Sequence, residues 1–342
     1  MMIDAVISKS AMLANFDRDK LQWQSNKDES TIDSEILAGR YLRRSILHKS
    51  NFGMTWLAQN VYLPGQPACV IKQLATRFTD PKLTQIAIAQ TKLEALSLSR
   101  LGSHAQIPSL IDYVQSEDDL YLVEEYIPGS VLTEIIENQD KFTEVEVEEF
   151  LIKMLRLLEY IHAHDLIHCD IKPQNIIRSQ TDRRFVLIDF GAVKDIDPVN
   201  IERKRDRTSS VSIGTPGFAP PEQLANRAVP ASDLYALGMT CIYLLTGKDP
   251  SQFPTDPYTC ELMWWDSLDL RLDLRETISK TIQIPLGDRY QSATQVLTDL
   301  DNRSIRAKLR TYLDQKHAVS KTQQIGNRGY YPAVVHWALG IE

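Results

Sequence analysis

The chain has 342 residues, 43% hydrophobic and 24% charged, which is ample apolar material for a core and a length that suits two lobes or domains. A net charge of −7 and a pI near 5.6 argue against nucleic acid or an anionic membrane surface as the main partner. The four cysteines, Cys69, Cys169, Cys241 and Cys260, lie far apart with no C-x-x-C pair, which disfavours a zinc site or a disulfide framework and suits a reducing cytoplasm.

Met1-Met2-Ile3-Asp4 lacks the basic start and apolar core of a signal peptide. The most apolar stretch, residues 234–245, holds Tyr235, Thr240 and Tyr243 and falls short of the ~18 residues of a membrane span, so no transmembrane segment is expected. Residues 1–38 are polar and mixed, and read as a loosely held N-terminal extension around Trp23. From Gly39 the pattern turns to strands. Residues 41–47, 54–62 and 68–74 are rich in aromatic, β-branched and aliphatic side chains, with Leu63-Pro64-Gly65 as a turn between the last two. A helix is expected over 82–101 and two further strands over 109–115 and 120–126. Five strands and one helix make a small first lobe, 39–126.

Past Pro128-Gly129 the chain becomes helical, giving a second lobe over 127–305. Thr143-Glu144-Val145-Glu146 has the spacing of a capping box. Behind it Val147, Phe150, Leu151, Met154, Leu157, Leu158 and Ile161 keep helical spacing. Ser232 can cap a helix that is apolar nearly all round, the expected buried axis of this lobe, stopped by Gly247 and Pro250. Helices near 268–283 and 291–303 complete it. Residues 306–342 are a tail whose end, Tyr330-Tyr331-Pro332-Ala333-Val334-Val335-His336-Trp337, is apolar enough to pack on the body or to contact a protein partner.

Chemistry concentrates in His168-Cys169-Asp170-Ile171-Lys172-Pro173-Gln174-Asn175. Asp170 can accept a proton from an attacking hydroxyl, Lys172 can face a phosphoryl group, and Asn175 can offer an oxygen to a divalent metal. The apolar run Phe185-Val186-Leu187-Ile188 reads as a buried strand that delivers a second acidic turn, Asp189-Phe190-Gly191. Phosphoryl transfer asks a protein for little beyond positioning, a base, cations and metal-holding oxygens.

The order H-x-D-x-K-x-x-N followed by D-F-G resembles the protein kinases, over roughly residues 40–305. That resemblance implies an α+β, two-lobed protein-kinase-like fold: a small antiparallel β-sheet N-lobe with one helix, and a mainly helical C-lobe. It implies ATP and Mg2+ as cofactors and protein substrates. Lys72, ending Cys69-Val70-Ile71-Lys72, matches the lysine on the α- and β-phosphates, and Glu94 in Leu93-Glu94-Ala95 matches its carboxylate partner. Asp170 orients the acceptor and Lys172 stabilises the migrating charge, while Asn175 and Asp189 hold the metal. Leu47, His48, Ser50, Gly53 and Thr55 fall on the phosphate-covering loop. Glu125 and Tyr126 would offer backbone groups to adenine, and Val70 and Ile177 would sandwich its ring. Glu124 falls at the rear of that pocket, where a carboxylate would face a lysine or water. His168 reads as structural. Glu222 should pair with Arg289, and Asp233 should bind the catalytic-loop backbone.

The sequence departs from the family in two places. The glycine-rich loop keeps only Gly53, with His48 and Ser50 at the first two glycine positions, where a Cβ obstructs the close approach of amides to phosphate. Cys169 replaces the arginine that clamps a phosphorylated activation loop, so a kinase of this kind would switch on without that clamp. Thr208, Ser209, Ser210 and Ser212, after Arg203-Lys204-Arg205, are candidate phosphorylation sites. Lys172 and Thr215 favour serine or threonine over tyrosine as the acceptor. The wording around Asp189 and Pro221-Glu222-Gln223 looks like the bacterial branch of the eukaryote-like Ser/Thr kinases. A pseudokinase acting as a scaffold is the alternative that the eroded loop suggests. A small-molecule kinase is disfavoured by the presence of Glu222 and Arg289.

Overall fold

The computed structural model describes residues 36–50, 53–75, 81–115, 119–138, 141–196, 214–259, 261–265 and 268–303. The expectations for the N-terminal extension, Cys260, the phosphorylation candidates at 208–212 and the tail lie outside these residues. Two compact units divide the chain, residues 1–296 and 297–342. In the second, the described residues 297–303 are helical.

The first unit opens with a six-stranded antiparallel sheet: β1 (Ile36–Leu37), β2 (Tyr41–Ser50), β3 (Gly53–Asn60), β4 (Ala68–Ala75), β5 (Leu110–Gln115) and β6 (Asp119–Glu125), in the order β1-β2-β3-β4-β6-β5. Five of these were expected. β1 was not: two residues pairing with Tyr41 and Leu42 across the turn at Gly39 are too few to show a period. Helix α1 (Pro81–Leu101) follows β4. Along β2 the register slips between Ile46 and His48, so Leu47 sits in a bulge next to the His48–Thr55 pair. Tyr41, Ala58, Cys69, Ile71, Tyr121 and Val123 bury the sheet's apolar face.

Gly53 owes its identity to this sheet. A Cβ there would lie 1.9 Å from the Gln73 carbonyl oxygen and 3.2 Å from the Leu74 Cα, both backbone atoms of the neighbouring strand. Gly53→Ala is expected to lower stability by about 1–3 kcal/mol, read as a fall in the thermal unfolding midpoint. Gly287→Ala, whose Cβ would meet nothing within 4 Å, serves as the neutral control.

The second lobe is built of β7 (Gly129–Val131), α2 (Leu132–Asn138), α3 (Glu144–Ala163), β8 (Leu166–Ile167), β9 (Ile176–Ser179), β10 (Phe185–Leu187), β11 (Lys194–Asp195), α4 (Pro221–Leu224), α5 (Pro230–Thr246) and α6 (Leu272–Thr281). The capping box forms on α3: the Thr143 hydroxyl accepts from the Glu146 N–H, and the Glu146 carboxylate accepts from the Thr143 N–H at 2.9 Å. The seven apolar positions predicted on this helix are all buried, together with Leu155, each such side chain contributing about 1.5–3 kcal/mol. α5 is the buried axis, and its Gly238 admits the end of α6 so closely that a Cβ would sit 3.2 Å from the Thr281 methyl and 2.6 Å from a methyl of Ile282 just beyond it. Gly247 ends α5 in the left-handed region, φ 66°.

Ser232 does not cap α5. The helix starts at Pro230, after Val229, because proline suits the first helical position and moves the start upstream. Ser232 lies within the first turn, where its hydroxyl accepts from the Val229 N–H at 3.1 Å and donates to Glu222 at 2.8 Å.

Candidate active site

Four local structures converge on a cleft of about 420 Å³ lined by Gly53, Thr55, Lys72, Glu94, Asp170, Asp189 and Thr215. β4 contributes Lys72, paired with Thr55 on β3, and α1 contributes Glu94. The loop after β8 contributes Asp170, and the turn after β10 contributes Asp189. Both of these acids depend on left-handed backbone at a non-glycine residue, Cys169 at φ 65° and Asp189 itself at φ 67°, a conformation that persists only where the surroundings hold it.

What holds Cys169 is visible. Asp233, fully buried in the first turn of α5, accepts from the His168 N–H at 2.8 Å and the Cys169 N–H at 2.9 Å. It also meets His162 Nε2 at 2.9 Å. On the other side Gln223 donates from Nε2 to the Cys169 carbonyl at 2.5 Å. The His168 ring accepts the Asp170 N–H at Nδ1, 3.3 Å, which places the ring proton on Nε2. Burial holds its pKa below the ordinary histidine value, against the pull of Asp233 and Asp170. His168 therefore shapes the loop as a neutral ring, edge-on to Phe190. Burial pushes the Cys169 thiol far up, so it stays protonated and inert.

Both oxygens of the Asp170 carboxylate have partners. Its Oδ1 accepts the Thr215 hydroxyl at 2.7 Å. Its Oδ2 meets Lys172 Nζ at 2.8 Å and Asn175 Nδ2 at 2.9 Å. Lys172 also donates to Thr215 at 2.8 Å. A serine or threonine hydroxyl is thus a group this carboxylate and ammonium can hold together, because one already sits there.

Lys72 has two partners. Its ammonium lies 2.5 Å from Glu94 Oε1 and 3.1 Å from Glu124 Oε1. Glu124 therefore faces a lysine, which settles the open alternative at the rear of the pocket. Burial works to lower the Lys72 pKa, but Glu124, Glu94 and Asp189 outweigh it and hold the ammonium above the ordinary lysine value. Burial pushes the Glu94 carboxyl up to about 8, with Lys72 pulling it down and Glu124 and Asp189 adding to the rise. Burial also works to raise Asp189, yet Lys72 and the Gly191 N–H keep it below the usual carboxylate range. Even with Glu94 protonated, one ammonium faces the Glu124 and Asp189 carboxylates, which leaves the cleft short of positive charge.

That shortage suits a divalent cation. Asn175 commits its Nδ2 to the carbonyl and carboxylate of Asp170, both at 2.9 Å, so its Oδ1 is the atom left for a metal. One ionised carboxylate and one amide oxygen fit magnesium, which completes its shell with water and substrate phosphates. Among the described residues no group of three His, Cys, Asp or Glu could hold a metal by itself.

Other expected site residues stand outside the lining of this cleft, Lys172 and Asn175 among them. Leu47, His48, Val70, Glu125, Tyr126 and Ile177 do not line this cleft, and the side chain of Ser50 lies outside the described residues. Leu47 is about half exposed. The Glu125 N–H is committed to the Ser109 carbonyl at 2.9 Å and its carboxylate to the Ser109 hydroxyl at 3.0 Å. Ile177 pairs with Val186 and Val131 inside a three-stranded sheet. Further along, Arg289 Nη1 meets Glu222 Oε1 at 2.6 Å. The hold of Gln223 on the Cys169 carbonyl was not read from the sequence, although Gln223 adjoins the singled-out Glu222.

Residues 63–292 match the family described as protein kinase domain. The match begins after β3 and leaves the eroded loop outside it. The chain is 44% identical over 268 residues to serine/threonine-protein kinase B of Synechocystis, covering 78% of this chain and 47% of that protein. It is 40% identical to serine/threonine-protein kinase PknA of Nostoc, covering 78% and 48%. To the probable serine/threonine-protein kinase PknB of Lactococcus lactis it is 28% identical, covering 78% and 42%. The chain spans about half the length of these curated relatives.

Proposed function

The chain belongs to the protein kinase family, and on that premise we propose that it transfers the γ-phosphoryl group of ATP to serine or threonine hydroxyls of proteins. The observation that carries the reading is the meeting of Lys72, Glu94, Asp170 and Asp189 around one cleft. Relatives named as serine/threonine-protein kinases support it. Magnesium, held by Asp189 and Asn175, would neutralise phosphate charge in a site that its own cations leave negative. Lys72 binds phosphate oxygens, kept in place by its carboxylates. Asp170 accepts the hydrogen bond of the acceptor hydroxyl and orients its oxygen. Lys172 faces the charge that moves as the phosphoryl group transfers.

The same reading assigns residues 39–305 to the kinase domain and 1–38 and 306–342 to extensions, the latter a surface for a protein partner. It places the chain in the cytoplasm. Among the described residues no helix is long and apolar enough to cross a membrane. The eroded loop favours a slow enzyme, since Lys72, Asp170 and Asp189 sit on elements that do not depend on it.

Incubation with γ-labelled ATP, magnesium and a basic acceptor protein tests the proposal. Label is expected on serine and threonine after acid hydrolysis, and EDTA should abolish it. Absence of label above background favours the scaffold reading instead, and label on tyrosine alone overturns the serine/threonine assignment.

A further inference from the structure

The ion pair of Lys72 with Glu94 joins two separate elements, the sheet and helix α1. Glu124 makes a different kind of pair. β4 and β6 run antiparallel, with Val70 opposite Glu124 and Lys72 opposite Leu122. Opposed residues share a face, and so do residues two apart, so Lys72 and Glu124 are diagonal neighbours on one face of one sheet. The hydrogen-bonded ladder fixes their separation. Glu124 is only 4% exposed, and its Oε1 lies 3.1 Å from Lys72 Nζ. A buried carboxylate without a cation would be costly, so the lysine stabilises Glu124 as much as Glu124 holds the lysine.

We propose that Glu124 is a positioning residue for Lys72, a carboxylate carried by the sheet itself that keeps the ammonium at the phosphate end of the cleft whatever the position of α1. Lys72 then has one anchor that moves with the helix and one that does not. Displacing α1 would break the contact to Glu94 without releasing the lysine. What Lys72 holds there rests on the proposed phosphotransfer, but the anchorage itself does not. The charged groups around this ammonium are Glu124 on β6, Glu94 on α1 and Asp189 after β10.

Competitive acetylation of the nucleotide-free chain by acetic anhydride, read by mass spectrometry, tests this without any turnover. The rate at Lys72 is normalised to exposed Lys92 on α1 of the same molecule. An opposite charge at this range shifts a pKa by about 1–3 units, so Glu124→Gln should raise the normalised rate at pH 8 by about tenfold or more. Glu94→Gln should raise it by less, since Glu94 is only partly ionised at that pH, and the double variant should exceed either. Glu124→Asp keeps the charge but is one methylene shorter. It should label more slowly than Glu124→Gln, whereas a role in packing alone predicts the reverse, because glutamine keeps the shape. Thermal unfolding of each variant confirms a folded chain. A Glu124→Gln rate within about twofold of wild type, or Glu124→Asp labelling faster than Glu124→Gln, overturns the proposal. Because labelling needs no nucleotide, its failure is separate from a failure of the kinase assay.

Discussion

Asp170→Asn is expected to lower kcat by about 10²–10⁴-fold, the range by which a positioned acid–base group contributes, while leaving the KM for ATP and the thermal midpoint close to wild type. The geometry explains why the effect falls on turnover. Both donors to Oδ2, Lys172 Nζ and Asn175 Nδ2, can be met by the asparagine carbonyl oxygen. The new NH2 then faces Thr215, whose hydroxyl can turn from donor to acceptor. The loop is therefore held nearly as before, and Cys169 keeps its bonds to Asp233 and Gln223. What disappears is the negative charge beside Lys172 and the acceptor for an incoming hydroxyl. ATP contacts Lys72 and the metal-holding residues, none of which changes. Steady-state rates with γ-labelled ATP, alongside a thermal melt, separate the two effects. A kcat within about threefold of wild type would show that Asp170 does no work in the transferring step.

Much of this site was readable because the chemistry is local in sequence. Asp170, Lys172 and Asn175 lie within one turn of chain, and a three-residue strand carries Asp189 to the same place. The capping box of α3 was readable for the same reason. What stayed open depends on register. That Glu124 meets Lys72 follows from Val70 standing opposite Glu124, a pairing between strands some fifty residues apart. No periodicity within either strand reveals such a pairing. Ser232 was misassigned because serine suits both the cap and the third helical position, and Pro230 decided between them. Gly53 was read as the remnant of a phosphate loop, yet the structure gives it a second duty in the approach of β3 to β4.

Arg289→Ala is expected to cost about 3–5 kcal/mol, the penalty for stranding one partner of a buried ion pair. Arg289 is 2% exposed. Its Nε donates to the Gln283 carbonyl at 2.7 Å, its Nη1 to Glu222 Oε1 at 2.6 Å and to the Ala231 carbonyl at 3.2 Å, and its Nη2 to the Ile284 carbonyl at 3.1 Å. The guanidinium also covers the Tyr235 ring at 4.9 Å. Removing it leaves the Glu222 carboxylate with the Ser232 hydroxyl and strips three carbonyls of a donor. For a unit of this size each kcal/mol moves the midpoint by about 2–4 °C, so a fall of about 6–20 °C should appear in a thermal melt. Arg289→Lys keeps the charge but cannot span the same acceptors with a planar fork, and should fall between alanine and wild type. Adding Glu222→Gln to Arg289→Ala should recover part of the loss, because the stranded charge is gone. If Arg289→Ala shifts stability by less than about 1 kcal/mol, or Glu222→Gln recovers nothing, the penalty does not come from an unpaired buried carboxylate. The loss should reach the cleft as well, since Gln223, next in chain to Glu222, holds the carbonyl of Cys169 and through it the backbone that aims Asp170.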